Sequence, residues 1–253
     1  MNIIEIGQVF DEYKIVIAYD KSNDGSLDIL LKMKEKYRDI NIEIFTNENQ
    51  LTNSRTLNIS KARNQILQYI ANDNNDSYDY FIMMDMDDVC QNLIIQPNIL
   101  ENYLIKNKDW DAISFNRDDY YDIWALAIDP YLFSCWHFGN TIESRRDSVK
   151  IIRKHIQDLL SNLGKDELLT CHSAFNGFAL YKKDKFINCN YDGYIVNSMN
   201  LLGSRSIHIQ EEAYNKPFHI EISSEDCEHR YFHLQAIEKN RAKIRISPLK
   251  MFN

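Results

Sequence analysis

The segment YFIMMDMDDVC, residues 80 to 90, places Asp85, Asp87 and Asp88 directly behind five apolar residues, with Met86 between the first two acids. On an extended backbone Asp85 and Asp87 point to the same side with Cα atoms roughly 6.5 to 7 Å apart, close enough to share a cation. A hard divalent ion would relieve their repulsion. Acids at such a place also solvate a strand end or cap the next element. Their position after a buried-type strand, where open α/β sheets bind ligands at the carboxyl ends, tips the reading towards the ion.

Other residues have types and spacings suited to chemistry. Arg63 and Asn64 fall in SKARNQIL, with Arg55 upstream. An arginine here suits a phosphate contact or a carboxylate clamp, and equally a solvated helix face. Glu225 and Asp226 open the segment EDCEHRYFH. Acids on a first helical turn oppose the macrodipole, and Ser223 and Asp226 have capping-box spacing. Glu225, His229 and His233 recur every four residues, so one helix face can carry all three as metal ligands would, although a helical histidine is more often packed or hydrogen-bonded. Tyr19, Asp20, Asn23 and Asp24 surround a turn ending in Gly25. Asn176 and Gly177 precede an apolar run, where glycine permits close backbone approach. Trp124, Trp136 and His137 offer an apolar platform, or simply core.

These residues need elements to position them. Lys14 to Tyr19 reads as a strand, Leu27 to Tyr37 as a helix and Asn41 to Thr46 as an alternating strand. Ser60 can cap a helix carrying Ala62, Ile66, Leu67 and Ile70. Tyr80 to Met84 reads as a central strand covered on both faces. Further strands are expected at Asp111 to Phe115, Ile123 to Ile128, Phe178 to Tyr181 and Lys243 to Ser247. Helices are expected at Arg145 to Leu163 and from Cys227 to Asn240. The stretch from Asn188 to Pro217 has weak periodicity and reads as a loop. This alternation implies one α/β layer structure.

Composition narrows the partners. The 253 residues suffice for one substantial core, and a hydrophobic fraction of 44% is that of a globular chain. A net charge of -8 disfavours a broad basic surface for nucleic acid. A polyanionic ligand would therefore need a cation. Five scattered cysteines without paired spacing read as reduced thiols. Without a signal-peptide pattern or an 18-residue apolar run, a soluble cytoplasmic protein is expected, in the host cytoplasm if the chain is viral.

In order along the chain, the strand ending at Asp20, Arg63-Asn64 on a helix, the Asp85-Met86-Asp87 motif and the Glu225-Asp226 helix start resemble the GT-A fold nucleotide-diphospho-sugar glycosyltransferases, including those encoded by large DNA viruses. The resemblance covers most of the chain. It implies a single Rossmann-like domain with a central, mostly parallel mixed sheet flanked by helices. Its nucleotide-binding half would span about 1–116, and its acceptor and sugar-binding half about 117–253.

The resemblance also implies roles. Asp85 and Asp87 would hold Mn2+ or Mg2+ against the donor diphosphate, with Asp88 behind them and His229 or His233 as optional further ligands. Tyr19, Asp20, Asn23 and Asp24 would contact base and ribose, Arg63 and Asn64 would reach towards the nucleotide, and Asn176-Gly177 would lie beside the sugar. Asp226, with Glu225 beside it, would take the proton from the acceptor hydroxyl, giving inversion; without that base, retention is equally open. The expected reaction moves a sugar, first of all from a UDP-sugar, to a glycan or protein hydroxyl. A nucleotidyltransferase, or an inert sugar- or protein-binding module, remains the alternative; no glycine-rich signature follows the first strand.

Overall fold

The computed structural model describes residues 2–47, 52–72, 78–86, 90, 94–106, 109–220 and 225–252. Asp87 and Asp88, and Ser223 of the capping-box pair, fall outside this set. A short helix α1 (Asn2–Gly7) leads into strand β1 (Lys14–Asp20), helix α2 (Ser26–Lys36), strand β2 (Asn41–Asn47) and helix α3 (Arg55–Asn72). Next come β3 (Tyr80–Met84), α4 (Pro97–Ile105), β4 (Ala112–Asn116), a 3-10 turn at Cys135–His137, α5 (Ile142–Ser161) and β5 (Leu169–Cys171). The rest is β6 (Phe178–Lys182), α6 (Lys183–Phe186), α7 (Ile195–Leu202), α8 (Ser204–Tyr214), α9 (Glu228–Asn240) and β7 (Ile244–Lys250).

The expected central, mostly parallel sheet is not what these strands build. β1 and β2 pair in parallel as a sheet of their own, and the remaining strands form a second sheet in the order β3-β6-β4-β7-β5. Within it β3–β6, β6–β4 and β7–β5 are antiparallel, and only β4–β7 is parallel. The cause is β6, which runs between β3 and β4 against both of them. A mostly antiparallel main sheet beside a small parallel one is not a clear GT-A or Rossmann topology. The resemblance to that glycosyltransferase family is therefore corrected to an α/β domain with these two sheets.

Burial explains the local choices. In β3, Phe81 and Met83 enter the larger apolar cluster, while Tyr80, Ile82 and Met84 lie against the smaller one that contains Trp110 and Phe178. A five-residue run without alternation fits two covered faces, but β3 is an edge strand of its sheet, paired with β6 alone among the described strands, and not the central strand expected. Ile15, Ile17 and Ile42 close a third cluster under α1 and α2. In α5, Ser148, Ile152, Ile156 and Leu160 recur every four residues and are buried, and the Thr141 hydroxyl accepts from Ser144 N–H to cap the helix.

Three local expectations fail. Ile123 to Ile128 is apolar and buried, yet it turns and then makes isolated bridges, Ala127 to Ser173 and Ile128 to Tyr131. Residues 188 to 217 carry two helices, α7 and α8, both lacking a side-chain cap at the N-terminus. Helix α3 starts at Arg55, and Ser60 inside it donates to the Thr56 carbonyl instead of capping. All five cysteines are buried free thiols. No helix among the described residues is long and apolar enough to cross a membrane.

Candidate functional site

The ends of β3 and β4 meet the start of β6, and one turn ties them together. Asn176 and Gly177, which precede β6, have φ of 56° and 84°, the left-handed region that asparagine tolerates and glycine adopts freely. The Gly177 carbonyl accepts from Asp85 N–H at 3.0 Å, fixing the first residue beyond β3. The Asn176 side chain, 1% exposed, donates to the Phe115 carbonyl of β4 at 2.9 Å and accepts from Asp122 N–H at 3.2 Å. Asp85 and Asp122, 37 positions apart in the sequence, are thereby held by neighbouring residues of one turn.

Arg63, from the middle of α3, crosses beneath Asp85. Its Nη2 donates to Asp85 Oδ1 at 2.8 Å, and its Nη1 is in close contact with Glu228 Oε1 and His229 Nε2 at the start of α9. The guanidinium lies 4.7 Å from the Phe175 ring centre and 5.7 Å from that of Tyr191. Burial works against its charge, but Glu228 and then Asp85 outweigh this and hold the proton more firmly than usual. A guanidinium only donates, so His229 Nε2 accepts and the imidazole proton sits on Nδ1, a buried atom with no hydrogen-bond partner among the described residues. Burial, then Arg63 and His233, push the His229 pKa well below its ordinary value. Asn64 lies away from this cluster and exchanges two bonds with the Tyr191 backbone, at 2.8 and 2.9 Å.

The charge of this cluster reaches Asp122. Burial raises its carboxyl to about 6, the Ala125 N–H bond at 3.1 Å partly offsets this, and Asp85 and Glu228 add to the rise. Asp85 itself keeps 26% of its side chain exposed, whereas Arg63 keeps 10% and Glu228 6%. The network is thus a buried cation with its open end at Asp85.

No family model and no curated protein matches the chain.

The remaining expected residues have other surroundings. Asp226 is fully buried; Arg230 Nε lies 3.1 Å from its Oδ2, His137 Nε2 lies 3.8 Å from its Oδ1, and its N–H donates to the Gly193 carbonyl. Burial raises its pKa, but Arg230 and His137 outweigh it and the net shift is downward. It precedes α9, whose N-cap is Cys227, so it is not on the first helical turn. Glu225 accepts from the Thr56 hydroxyl at 2.8 Å and from Thr56 N–H at 3.3 Å, capping α3. His233 engages Ser173 Oγ at 2.9 Å through Nδ1 and Tyr181 OH at 3.1 Å through Nε2. Among the described residues no group of three or more His, Cys, Asp or Glu side chains could hold a metal ion.

At the end of β1 the turn is internally bonded. Tyr19 OH accepts from Ser22 N–H at 2.9 Å, Asp24 accepts from Ser26 N–H at 3.0 Å, and Asp20 accepts from Asn47 at 2.9 Å. Bonds from Ser22 and Ser26 lower the exposed Asp24 carboxyl to about 2. Asn23 is exposed on the same turn, and Met86 is 48% exposed beside Asp85. Trp136 is 43% exposed, and Trp124 is half-buried.

Two residues of the cluster escaped sequence reasoning. Asp122 lies in YYDIW, where no periodicity marks a site, and Glu228 follows two acids that drew attention first.

Proposed function

We propose that this chain transfers a sugar from a nucleotide diphosphate sugar, first of all a UDP-sugar, to a hydroxyl group of a glycan or protein, with Mn2+ or Mg2+ as cofactor. The observation that supports this is the half-exposed carboxylate of Asp85 at the carboxyl end of β3, anchored from behind by buried Arg63. Carboxylate oxygens are the hard donors these ions take, and the charge that Asp85 and Glu228 impose on Asp122 is the kind a cation relieves. Asp85 would hold the ion, together with Asp87 by the sequence pattern. When bound, the ion would act as a Lewis acid towards the charge growing on the leaving diphosphate.

The chain's own groups do the positioning. Arg63 and the Gly177 carbonyl fix Asp85 from two sides, so its carboxylate is held in place before an ion binds. Phe175 and Tyr191 exclude water from the guanidinium.

A panel of nucleotide sugars with Mn2+, followed by released nucleotide and by thermal stabilisation, tests the proposal. Turnover of at least one donor is expected, and Asp85→Asn should lower it by about 100-fold or more. No response across the panel sinks the reading. The enclosure of Asp226 by Arg230 favours one second reading, a binding module without turnover. That module would take up glycan without metal and release no nucleotide.

A further inference from the structure

We infer that Asp122 is the carboxylate that accepts a hydroxyl group of the transferred sugar, a specificity role resting on the reading above. The acids on Arg63 and the two acids that precede α9 have strong partners. Asp85 and Glu228 share Arg63, Asp226 is held by Arg230, and Glu225 receives two bonds from Thr56. Asp122 accepts one backbone bond, from Ala125 N–H, and among the described residues no cation pairs with it. An ionised carboxylate offers about four lone-pair positions, so a half-buried one with a single donor among the described residues has acceptor capacity left for a ligand.

Its placement is not that of a stray surface acid. The Asn176 side chain fixes its backbone while the adjacent Gly177 fixes that of Asp85, so the two main-chain positions are held by one turn. Tyr121 next to it is 39% exposed, so ring surface lies one residue from the acid, and Trp124, two residues on, carries a buried indole N–H with no hydrogen-bond partner among the described residues. Polyol hydroxyls supply neutral O–H donors to such an acid, and the neighbouring rings suit the C–H face of a sugar. Burial, with the charges of Asp85 and Glu228, raises its pKa to about 6, so it remains largely ionised at neutral pH.

The test compares each nucleotide sugar with its own nucleotide. UDP and a set of UDP-sugars are titrated with Mn2+ into wild type, Asp122→Ala and Asp122→Asn, and unfolding curves confirm that each variant folds. The expected result is unchanged UDP affinity but an advantage of the UDP-sugar over UDP reduced by about 10- to 100-fold in Asp122→Ala. Asp122→Asn, whose amide oxygen still accepts, should recover part of it. UDP and UDP-sugar weakening together would assign Asp122 to the metal or the nucleotide and overturn the inference, as would no change in either. A wild type that discriminates while the variants discriminate equally well overturns this inference alone. A wild type that binds no nucleotide sugar removes it together with the proposed function.

Discussion

Two buried arginines in this chain do opposite work. Arg230, with no exposed surface, pairs with Asp226 and donates to the carbonyls of Trp124, Leu126 and Leu132 at 2.6 to 3.0 Å. Every partner is protein, and the result is a closed knot that pins residues 124 to 132 onto α9. Arg63 gathers Asp85, Glu228 and His229 from two other elements, and one of those partners is half-exposed. A guanidinium whose acceptors are all enclosed acts on structure; one with a partly exposed partner can present that carboxylate to a ligand.

The sharpest way to break this comparison is to remove each guanidinium. Arg230→Met leaves Asp226 charged and enclosed, and should cost about 3 to 5 kcal/mol of unfolding free energy. Arg63→Met strands Glu228 similarly, but Asp85 can be solvated, so the cost should sit at the lower end, about 3 kcal/mol. Urea denaturation of both variants provides the measurement. Equal or inverted costs would mean that Arg63 is as enclosed as Arg230, and the distinction between knot and open network would fall.

Acid should separate the two regions further, because His233 feels both arginines. Burial, then Arg63 and Arg230, lower its pKa to about 3, while an unfolded chain titrates near the ordinary value of 6.5. The native state therefore holds this histidine neutral where the unfolded state takes up a proton, so stability is lost as pH falls below 6.5 and continues to fall towards 3. The slope approaches about 1.4 kcal/mol per pH unit for one such group. His229 adds in the same direction. Asp122 opposes them: its folded pKa of about 6 lies above the ordinary 3.8, so between these values acidification favours the native state. Denaturation at pH 7.5 and 5.0 should show His233→Gln losing less stability than wild type across that interval. Identical losses would show that His233 is not held neutral.

Much of this was legible in residues, and the missing part has a common cause. Tyr80 to Met84 announces β3 because five apolar residues between polar ones require two covered faces, and the acid at its end followed from the same run. β1, β2 and β6 were readable for similar local reasons. The antiparallel course of β6 was not, since register with β3 and β4 is decided by residues 65 to 102 positions away. Ile123 to Ile128 looks like a strand because it is buried, but carbonyls in and beside it are taken by Arg230 instead of a ladder. Asp122, Glu228 and the linking role of Arg63 were equally hidden, because each acquires meaning only from a partner on another element. Helices α7 and α8 lack the capping side chains by which sequence marks a start.

The smallest expected effect concerns how α3 is aimed. Thr56, fully buried, sits two helical turns before Arg63 and donates its hydroxyl to Glu225 from across the fold. The carboxylate also takes Thr56 N–H, one of the donors that a helix start leaves unpaired. Gly193 leaves room for this contact: a Cβ there would stand 2.7 Å from Thr56 Oγ1 and 3.0 Å from the Thr56 carbonyl carbon. Thr56→Val keeps the volume and the backbone bond but loses the hydroxyl, and should cost about 1 kcal/mol. Glu225 lies below its ordinary pKa because the Thr56 bonds outweigh burial, so its contribution is present above pH 4.5 and fades as pH falls through its folded value. Gly193→Ala, which cannot keep both groups in place, should cost more than Thr56→Val when the two are compared by urea denaturation at pH 7. If the alanine is tolerated and the valine is not, the hydroxyl bond rather than the close approach of the two segments sets the start of α3, and with it the position of Arg63.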